Sequence, residues 1–533
     1  MPAPHSIVLT NLSLAFDDGA PVLDDISWTI PTGRIGVVGR NGTGKSTLLR
    51  LITGELSPSS GSLTAPGDVG TVPQDLLQRP DRTVAEILGV DQVCRAIAAI
   101  EAGSVNVADF DAVGPDWDIE ARATALLARR VPSLAVENAL DRGAGTLSGG
   151  ELMLVALAGL ELSRAEVSVL DEPTNNLDAS ARGGLYEAVE EWTGTLLVVS
   201  HDAALLRRMD TIVEIHDAGV RLFGGNYDVF MEQLAAEKAA VEQSVRSAEQ
   251  HLRSEKRDRD HIQKAMASRA RQNASTFRRA AGGPRLSDPT AKRSAEARRA
   301  GEVKGAAEKV RTAKSRVTEA EKALRDDERI RVDPIDPHTA VGRRLVELVG
   351  TNQSVHITGG KRLGLVGDNG VGKTSLLRSL LHDGEPSRSP ARGELFTARV
   401  GYLDQNLVLD DGATILENVR QSAPTRLPHD IRAQLARFLV RGDMVDRVVG
   451  GLSGGERFRV ALAGILLASP VPELLVLDEP TNNLDLASIN QLVDGLRAYR
   501  GALLVVSHDD DLVERLVLDA VVRLEADGSL HVI

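Results

Sequence analysis

Residues 35–46 read IGVVGRNGTGKS, and residues 363–374 read LGLVGDNGVGKT. Each stretch starts as a short apolar run, turns through closely spaced glycines and ends on Lys followed by a hydroxyl residue. A strand that flows through such a turn into a helix is the layout of a phosphate cradle. Glycine lets backbone N–H groups turn inward, and the helix adds its positive N-terminal end. Lys45 and Lys373 are placed to reach the β- and γ-phosphates, and Ser46 and Thr374 to offer a hydroxyl to Mg²⁺. The nucleotide-facing residues expected in the first copy are Gly39, Arg40, Asn41, Gly42, Thr43, Gly44, Lys45, Ser46 and Thr47. In the second copy they are Gly367, Asp368, Asn369, Gly370, Val371, Gly372, Lys373, Thr374 and Ser375.

Working outward, the same ordered motifs follow each stretch, so the chain is an internal repeat. After the first come Gln74, a Leu-Ser-Gly-Gly-Glu run at 147–151, VSVLDE at 167–172 and His201. After the second come Gln405, the same run at 452–456, LLVLDE at 474–479 and His508. The spacing differs in one interval: 74 residues separate Gln74 from Ser148, but 48 separate Gln405 from Ser453. The first half therefore carries extra residues within 80–140, with helical patterns at 83–100 and 119–130 and a looser 103–118 between. Residues 35–38, 167–170 and 195–199 are continuous apolar runs, which suit strands buried on both faces of a parallel sheet. Each half reads as a P-loop α/β domain.

Between the halves, residues 230–331 have a different character. A helical pattern runs without Pro or Gly to Ala281, breaks at Gly282, Gly283, Pro284 and Pro289, and resumes to about Arg329, which predicts a helical hairpin. Residues 232–331 hold 25 Lys and Arg against 16 Asp and Glu, so this segment is +9 in a chain of −13, leaving −22 for the rest. Apolar residues at Leu234, Val241, Val245 and Leu252, and at Val303, Val310, Val317 and Leu324, form narrow seams for an antiparallel coiled coil. No acid occurs between Asp260 and Asp288, where Lys264, Arg269, Arg271, Arg278, Arg279, Arg285 and Phe277 stand. Phosphate neutralisation and base stacking make that tip a candidate RNA contact.

The bulk numbers narrow the classes further. A chain of 533 residues has room for several cores, and its acidic total argues against a general nucleic-acid coat. No apolar run is long enough to span a membrane, no signal peptide is apparent, and a lone Cys94 leaves no disulfide framework. A cytoplasmic protein is expected.

The remaining motifs carry chemistry. Asp171 and Asp478, at the ends of buried strands, are expected to hold Mg²⁺ together with Ser46 and Gln74 or Thr374 and Gln405. Glu172 and Glu479 are candidate general bases that orient the attacking water, and His201 and His508 are placed to polarise the γ-phosphate. Ser148, Gly149, Gly150 and Glu151, like Ser453, Gly454, Gly455 and Glu456, open helices whose N-termini suit a phosphate. Together with the Asn-Leu-Asp stretches at 176–178 and 483–485, this set resembles tandem ATP-binding cassettes. The resemblance covers most of the chain and implies two cassettes closing head to tail over two ATP molecules, each site joining one phosphate loop to the other cassette's signature. Two cassettes joined by a charged hairpin resemble the ABC-F subfamily, whose members are ribosome-binding translation factors and antibiotic-resistance proteins. In that family the linker reaches toward the P-site tRNA and the peptidyl-transferase centre.

The resulting expectation is an α/β protein of two P-loop ATP-binding-cassette domains, residues 1–229 and 332–533, joined by a long helical hairpin at 230–331. Its cofactors would be ATP and Mg²⁺, its partner the ribosome, and its state a monomer with intramolecular cassette pairing. Phe16 is the adenine-stacking candidate of the first site, whereas residues 331–366 hold no Phe, Trp or Tyr. The first signature continues Leu152-Met-Leu where the second has Arg457-Phe-Arg, so the two sites are expected to differ. The competing reading is the ATPase subunit of a membrane exporter with separate transmembrane subunits.

Overall fold

The computed structural model describes residues 7–15, 21–65, 67–72, 80–175, 177–216, 218–279, 304–318, 334–381, 389–404, 407–482 and 484–533. Side chains are described for these except residues 266, 269–279 and 510. One compact unit comprises Met1–Phe230 with Arg329–Ile533, and a second comprises Met231–Glu328.

In the first half, β1 (Ile7–Ala15), β2 (Pro21–Ile30), β3 (Arg34–Gly39), β4 (Ser60–Thr64), β5 (Val69–Thr71), β6 (Val167–Asp171), β7 (Thr195–Val199), β8 (Thr211–His216) and β9 (Gly219–Gly224) form two sheets. The small one is antiparallel, ordered β2-β1-β4, and the large one runs β5-β6-β7-β3-β8-β9. All neighbours in the large sheet are parallel except β8 and β9. The second half repeats the plan with β10 (Arg344–Val349), β11 (Ser354–Thr358), β12 (Arg362–Val366), β13 (Arg392–Leu395), β14 (Val400–Leu403), β15 (Leu474–Asp478), β16 (Ala502–Val506), β17 (Ala520–Leu524) and β18 (Leu530–Val532). Its sheets run β11-β10-β13 and β14-β15-β16-β12-β17-β18.

The continuous apolar strands are explained by the layering. Successive side chains of a strand point to opposite faces. Leu474, Val476, Ala502, Leu504 and Val506 join a core with the small sheet and the helix Lys373–Leu381. Leu475, Leu477, Leu503 and Val505 join the other core, under the helices around the signature. With both faces covered, neither set can be polar.

This topology also positions the loops. In each large sheet the strand that feeds the phosphate loop lies beside the two strands that end in the Asp-Glu pair and the His, in the order β6-β7-β3 and β15-β16-β12. Parallel strands share one carboxyl edge, so three motifs distant in sequence meet there.

The extra residues of the first half are more broken than the pattern predicts. The helix expected at 83–100 is two, Val84–Leu88 and Asp91–Glu101, because Gly89 takes a left-handed φ of 73° that stops the first. The stretch expected to be loose contains a helix, Val107–Val113, capped by the Asn106 side chain accepting from Ala108 N–H. The helix Ile119–Arg130 matches its expectation.

In the second unit the helix that starts at Tyr227 continues to Arg279, and residues 304–318 are helical. Val245 and Val317 of the expected seams are buried, as is Ala313, which the seam reading omitted. Lys264 is exposed. The expected turn at 282–289 lies outside the described residues, as do Val303, Leu324, Arg285 and the side chains of Arg269, Arg271, Phe277, Arg278 and Arg279.

The double-faced burial is testable. Leu504→Ala, at a site with no solvent exposure, is expected to lower stability by about 2–5 kcal/mol in urea denaturation. Leu222→Ala, on an exposed position of β9, is expected to stay within about 0.5 kcal/mol of the parent.

Candidate active site

The phosphate loops are built on glycine because the backbone leaves no alternative. Gly39 and Gly367 have φ of 154° and 152°. A Cβ added there would lie 2.6 Å from the Ile215 carbonyl and 2.4 Å from that of Leu524. Each loop closes on its own lysine: Lys45 Nζ donates to the carbonyls of Gly39 at 2.7 Å and Arg40 at 3.0 Å, and Lys373 Nζ to those of Gly367 at 2.6 Å and Asp368 at 2.9 Å. Both ammonium groups are buried, and desolvation lowers their pKa values.

At the end of the adjacent strand the backbone departs from the glycine rule. Glu172 and Glu479 are non-glycine residues with φ of 48° and 46°. Their N–H groups donate to the carbonyls of Val199 and Val506, so the chain makes one further rung beside the histidine strand and then turns sharply. Strain of this kind is tolerated where the surroundings over-determine the conformation, and it concentrates at functional sites. The turn brings each carboxylate to its histidine: Glu172 Oε1 lies 3.3 Å from His201 Nε2, and Glu479 Oε1 lies 3.2 Å from His508 Nε2. The His508 main-chain N–H also donates to Glu479 Oε2 at 3.3 Å.

Burial sets the protonation of both pairs. Desolvation pushes Glu172 up to about 8 and Glu479 up to about 7, against an opposing pull from the nearby lysines. It pushes His201 down to about 3 and His508 down to about 4. The imidazoles are therefore neutral near pH 7, each with one nitrogen to donate and one to accept.

Of the expected magnesium ligands, Thr374 Oγ1 donates to Asp478 Oδ1 at 3.3 Å, and Asp478 Oδ2 is buried without a hydrogen-bond partner. Asp171 sits at the matching end of β6, and Ser46 is exposed at the start of the loop helix. Among the described residues no three His, Cys, Asp or Glu side chains are gathered as a cage. In the second site one carboxylate and one hydroxyl, with an orphaned oxygen on Asp478, fit Mg²⁺, which keeps several waters and shares substrate phosphates. Phe16, Gln74 and Gln405 lie outside the described residues.

The signature residues make a different local structure. Ser148 and Ser453 cap the helices Gly149–Ser163 and Gly454–Leu466, each accepting from the N–H of the Glu three positions on while that Glu accepts from the Ser N–H. Glu151 and Glu456 are thus occupied by their own capping boxes. The bonds that cross between the halves come from other residues. Asn41 N–H donates to Asp485 Oδ2 at 2.8 Å, and Arg182 Nη1 donates to the His508 carbonyl at 3.1 Å. Asp485 also caps its own helix by accepting from Ser488 N–H at 2.7 Å. Burial works to raise the Asp485 pKa, and these bonds bring it below the usual carboxylate value instead. A cavity of about 220 Å³ lies between the halves, with Glu172 and His201 in its wall beside Arg182, Asp202, Ile489 and Asp509.

Comparison with known proteins now decides the family. The profile described as ABC transporter matches residues 23–175 and 351–482. The tylosin resistance ATP-binding protein TlrC of Streptomyces fradiae is 31% identical over 94% of this chain and 94% of its own. The chain belongs to the ABC-F subfamily of ATP-binding cassette proteins. This ABC-F protein is an ATPase. It is also 30% identical to the probable ATP-binding protein YheS of Escherichia coli K12, over 92% of this chain and 75% of that one. ABC transporter F family member 5 of Arabidopsis thaliana is 28% identical over 96% and 74%. A solved complex of an archaeal ribosomal stalk protein with the recycling factor aABCE1 aligns with a TM-score of 0.54 at 20% identity, covering 98% of this chain and 89% of that one, a likeness of fold alone.

The raised carboxylates give this ABC-F protein a pH signature in the absence of nucleotide and metal. Between the ordinary Glu value of 4.5 and about 8, the folded protein holds a proton on Glu172 that the unfolded chain releases, so this group's contribution to stability falls as pH rises through that window. Glu172→Gln lacks the titration. The melting temperature of the variant minus that of the parent is expected to rise from about pH 5 to about pH 8.5, and a constant difference would contradict the burial argument.

Proposed function

We propose that this ATPase is a cytoplasmic, ribosome-associated factor that works as two cassettes, 1–229 and 332–533, around the linker 230–331, and that it protects ribosomes against antibiotics of the large subunit. The observation that carries this reading is the match to the tylosin resistance protein, which runs through both cassettes and the linker alike. The linker supports it independently: its described first helix spans Tyr227–Arg279, about 80 Å at about 1.5 Å per residue, enough to carry a basic tip far from the nucleotides. A housekeeping role in translation is the variant of this reading that the same linker permits. The exporter reading finds less support, since separate subunits would supply the membrane spans and nothing in it calls for so long a linker helix.

In this proposal each phosphate loop binds ATP, and Lys45 and Lys373 exchange their loop carbonyls for phosphate oxygens. Ser46, Asp171 and Gln74, or Thr374, Asp478 and Gln405, hold Mg²⁺, which when bound offsets phosphate charge. Glu172 and Glu479 orient a water on the γ-phosphorus and accept its proton as the bond to ADP breaks. A base whose pKa lies near the working pH suits that task. His201 and His508, neutral, hold the carboxylate and the phosphoryl oxygens in register. Cross-cassette bonds from Asn41 and Arg182 support a monomer that pairs its own cassettes. ATP binding favours the closed, ribosome-bound form, and hydrolysis releases it.

The Glu172→Gln/Glu479→Gln double variant is expected to lose turnover and to co-sediment with 70S ribosomes only when ATP is present; association with membranes instead would support the exporter. Replacing Lys264, Arg269, Arg271, Arg278, Arg279 and Arg285 by Gln is expected to abolish that co-sedimentation while basal ATPase survives. Loss of both together would make the tip a structural element.

A further inference from the structure

The two cassettes follow the same plan, and one place where they differ in charge lies on the wall between them. Asp178 and Asp485 each cap the helix that follows, through bonds to Ala181 N–H and Ser488 N–H. Four residues beyond each cap the register puts Arg182 in the first cassette and Ile489 in the second. Positions four apart share a helix face. Both residues accordingly line the same cavity between the cassettes.

Arg182 is anchored on its own side. Its Nη1 lies 3.7 Å from Asp202 Oδ2, and that carboxylate is held by the Tyr186 hydroxyl at 2.7 Å and by Leu205 N–H at 2.9 Å. From there the guanidinium, only 13% exposed, donates to the His508 carbonyl of the other cassette. His508 in turn holds Glu479 through its main-chain N–H, and its ring Nε2 lies 3.2 Å from Glu479 Oε1. Arg207 of the first cassette also approaches the helix after His508, with Nη2 3.6 Å from Asp511 Oδ1. A side chain of Ile489 has no polar atom and makes no corresponding bond toward His201.

We propose that Arg182 is a positioning residue for the second centre: by fixing the His508 main chain from across the interface, it holds the Glu479 carboxylate in its working geometry. A hydrogen bond from an ionised donor is stronger and more directional than a neutral one, which suits it to pinning a loop. Hydrolysis at the centre of Lys373, Glu479 and His508 then depends on the first cassette being in place, whereas the centre of Lys45, Glu172 and His201 receives no such cation from Ile489. The inference rests on the reading of Glu479 and His508 as members of a hydrolytic centre.

The test is steady-state ATPase of the full chain carrying Arg182→Ile, which copies the second cassette, or Arg182→Lys, each alone and combined with His508→Gln or His201→Gln. In the His201→Gln background, where turnover rests on the second centre, Arg182→Ile is expected to lower kcat about tenfold with less than about twofold change in KM, and Arg182→Lys to recover most of the loss. In the otherwise unaltered chain the first centre still turns over and the loss is about twofold. Added to His508→Gln, Arg182→Ile should cost nothing more, because the centre it positions is already silent. Amide exchange is expected to quicken across residues 507–512 and to stay unchanged across 200–205. Unaltered kcat, losses that multiply with both histidines, or exchange that quickens equally in both loops would overturn the proposal. Intact turnover in Glu479→Gln and His508→Gln would instead overturn the reading of the centre itself.

Discussion

Asp485 serves both cassettes at once. One carboxylate oxygen caps the helix Leu486–Ala498 of the second cassette, and the other accepts from Asn41 N–H in the phosphate loop of the first. A carboxylate that is 5% exposed and accepts two main-chain N–H groups has its charge fully used, and removing either donor would leave a buried anion short of partners. The glycine-rich loop of one cassette is therefore bonded to a residue more than 400 positions away. Arg182 repeats the logic in the opposite direction, from the first cassette to the second.

The buried Glu-His pairs depend on the same enclosure. A carboxylate raised to about 7 or 8 and an imidazole lowered to about 3 or 4 are what a dry setting produces from residues that would both be charged in mildly acidic water. The left-handed backbone at Glu172 and Glu479 holds each carboxylate against its histidine, and the parallel sheet supplies the shared edge on which this happens. Fold and chemistry are joined at three adjacent strands.

Much of this was legible in the chain because it follows from short-range rules. Gly-rich loops need residues without a Cβ, double-faced strands need unbroken apolar runs, and Ser with Glu three positions on announces a helix start; each leaves a local pattern. What was not legible depended on partners far away. Arg182 looks like any solvated arginine on an amphipathic helix, and only its contrast with Ile489 in the repeat hints otherwise. The break at Gly89 was visible as a glycine, but its left-handed conformation and the short helix begun by Asn106 depend on how the extra segment packs. Ala313 escaped the seam because a small residue weighs little in a periodicity, although it is buried.

The central claim is that the catalytic loop of one cassette is completed by the other. Asp485→Ser tests it directly, because serine caps a helix about as well as aspartate but is too short to reach Asn41 as well. Turnover at the first centre, isolated in a Glu479→Gln parent, is predicted to fall about tenfold in this variant although the substituted residue lies outside the first cassette, with little change in melting temperature. Turnover equal to that of the parent, in a protein of unchanged stability, would contradict the account.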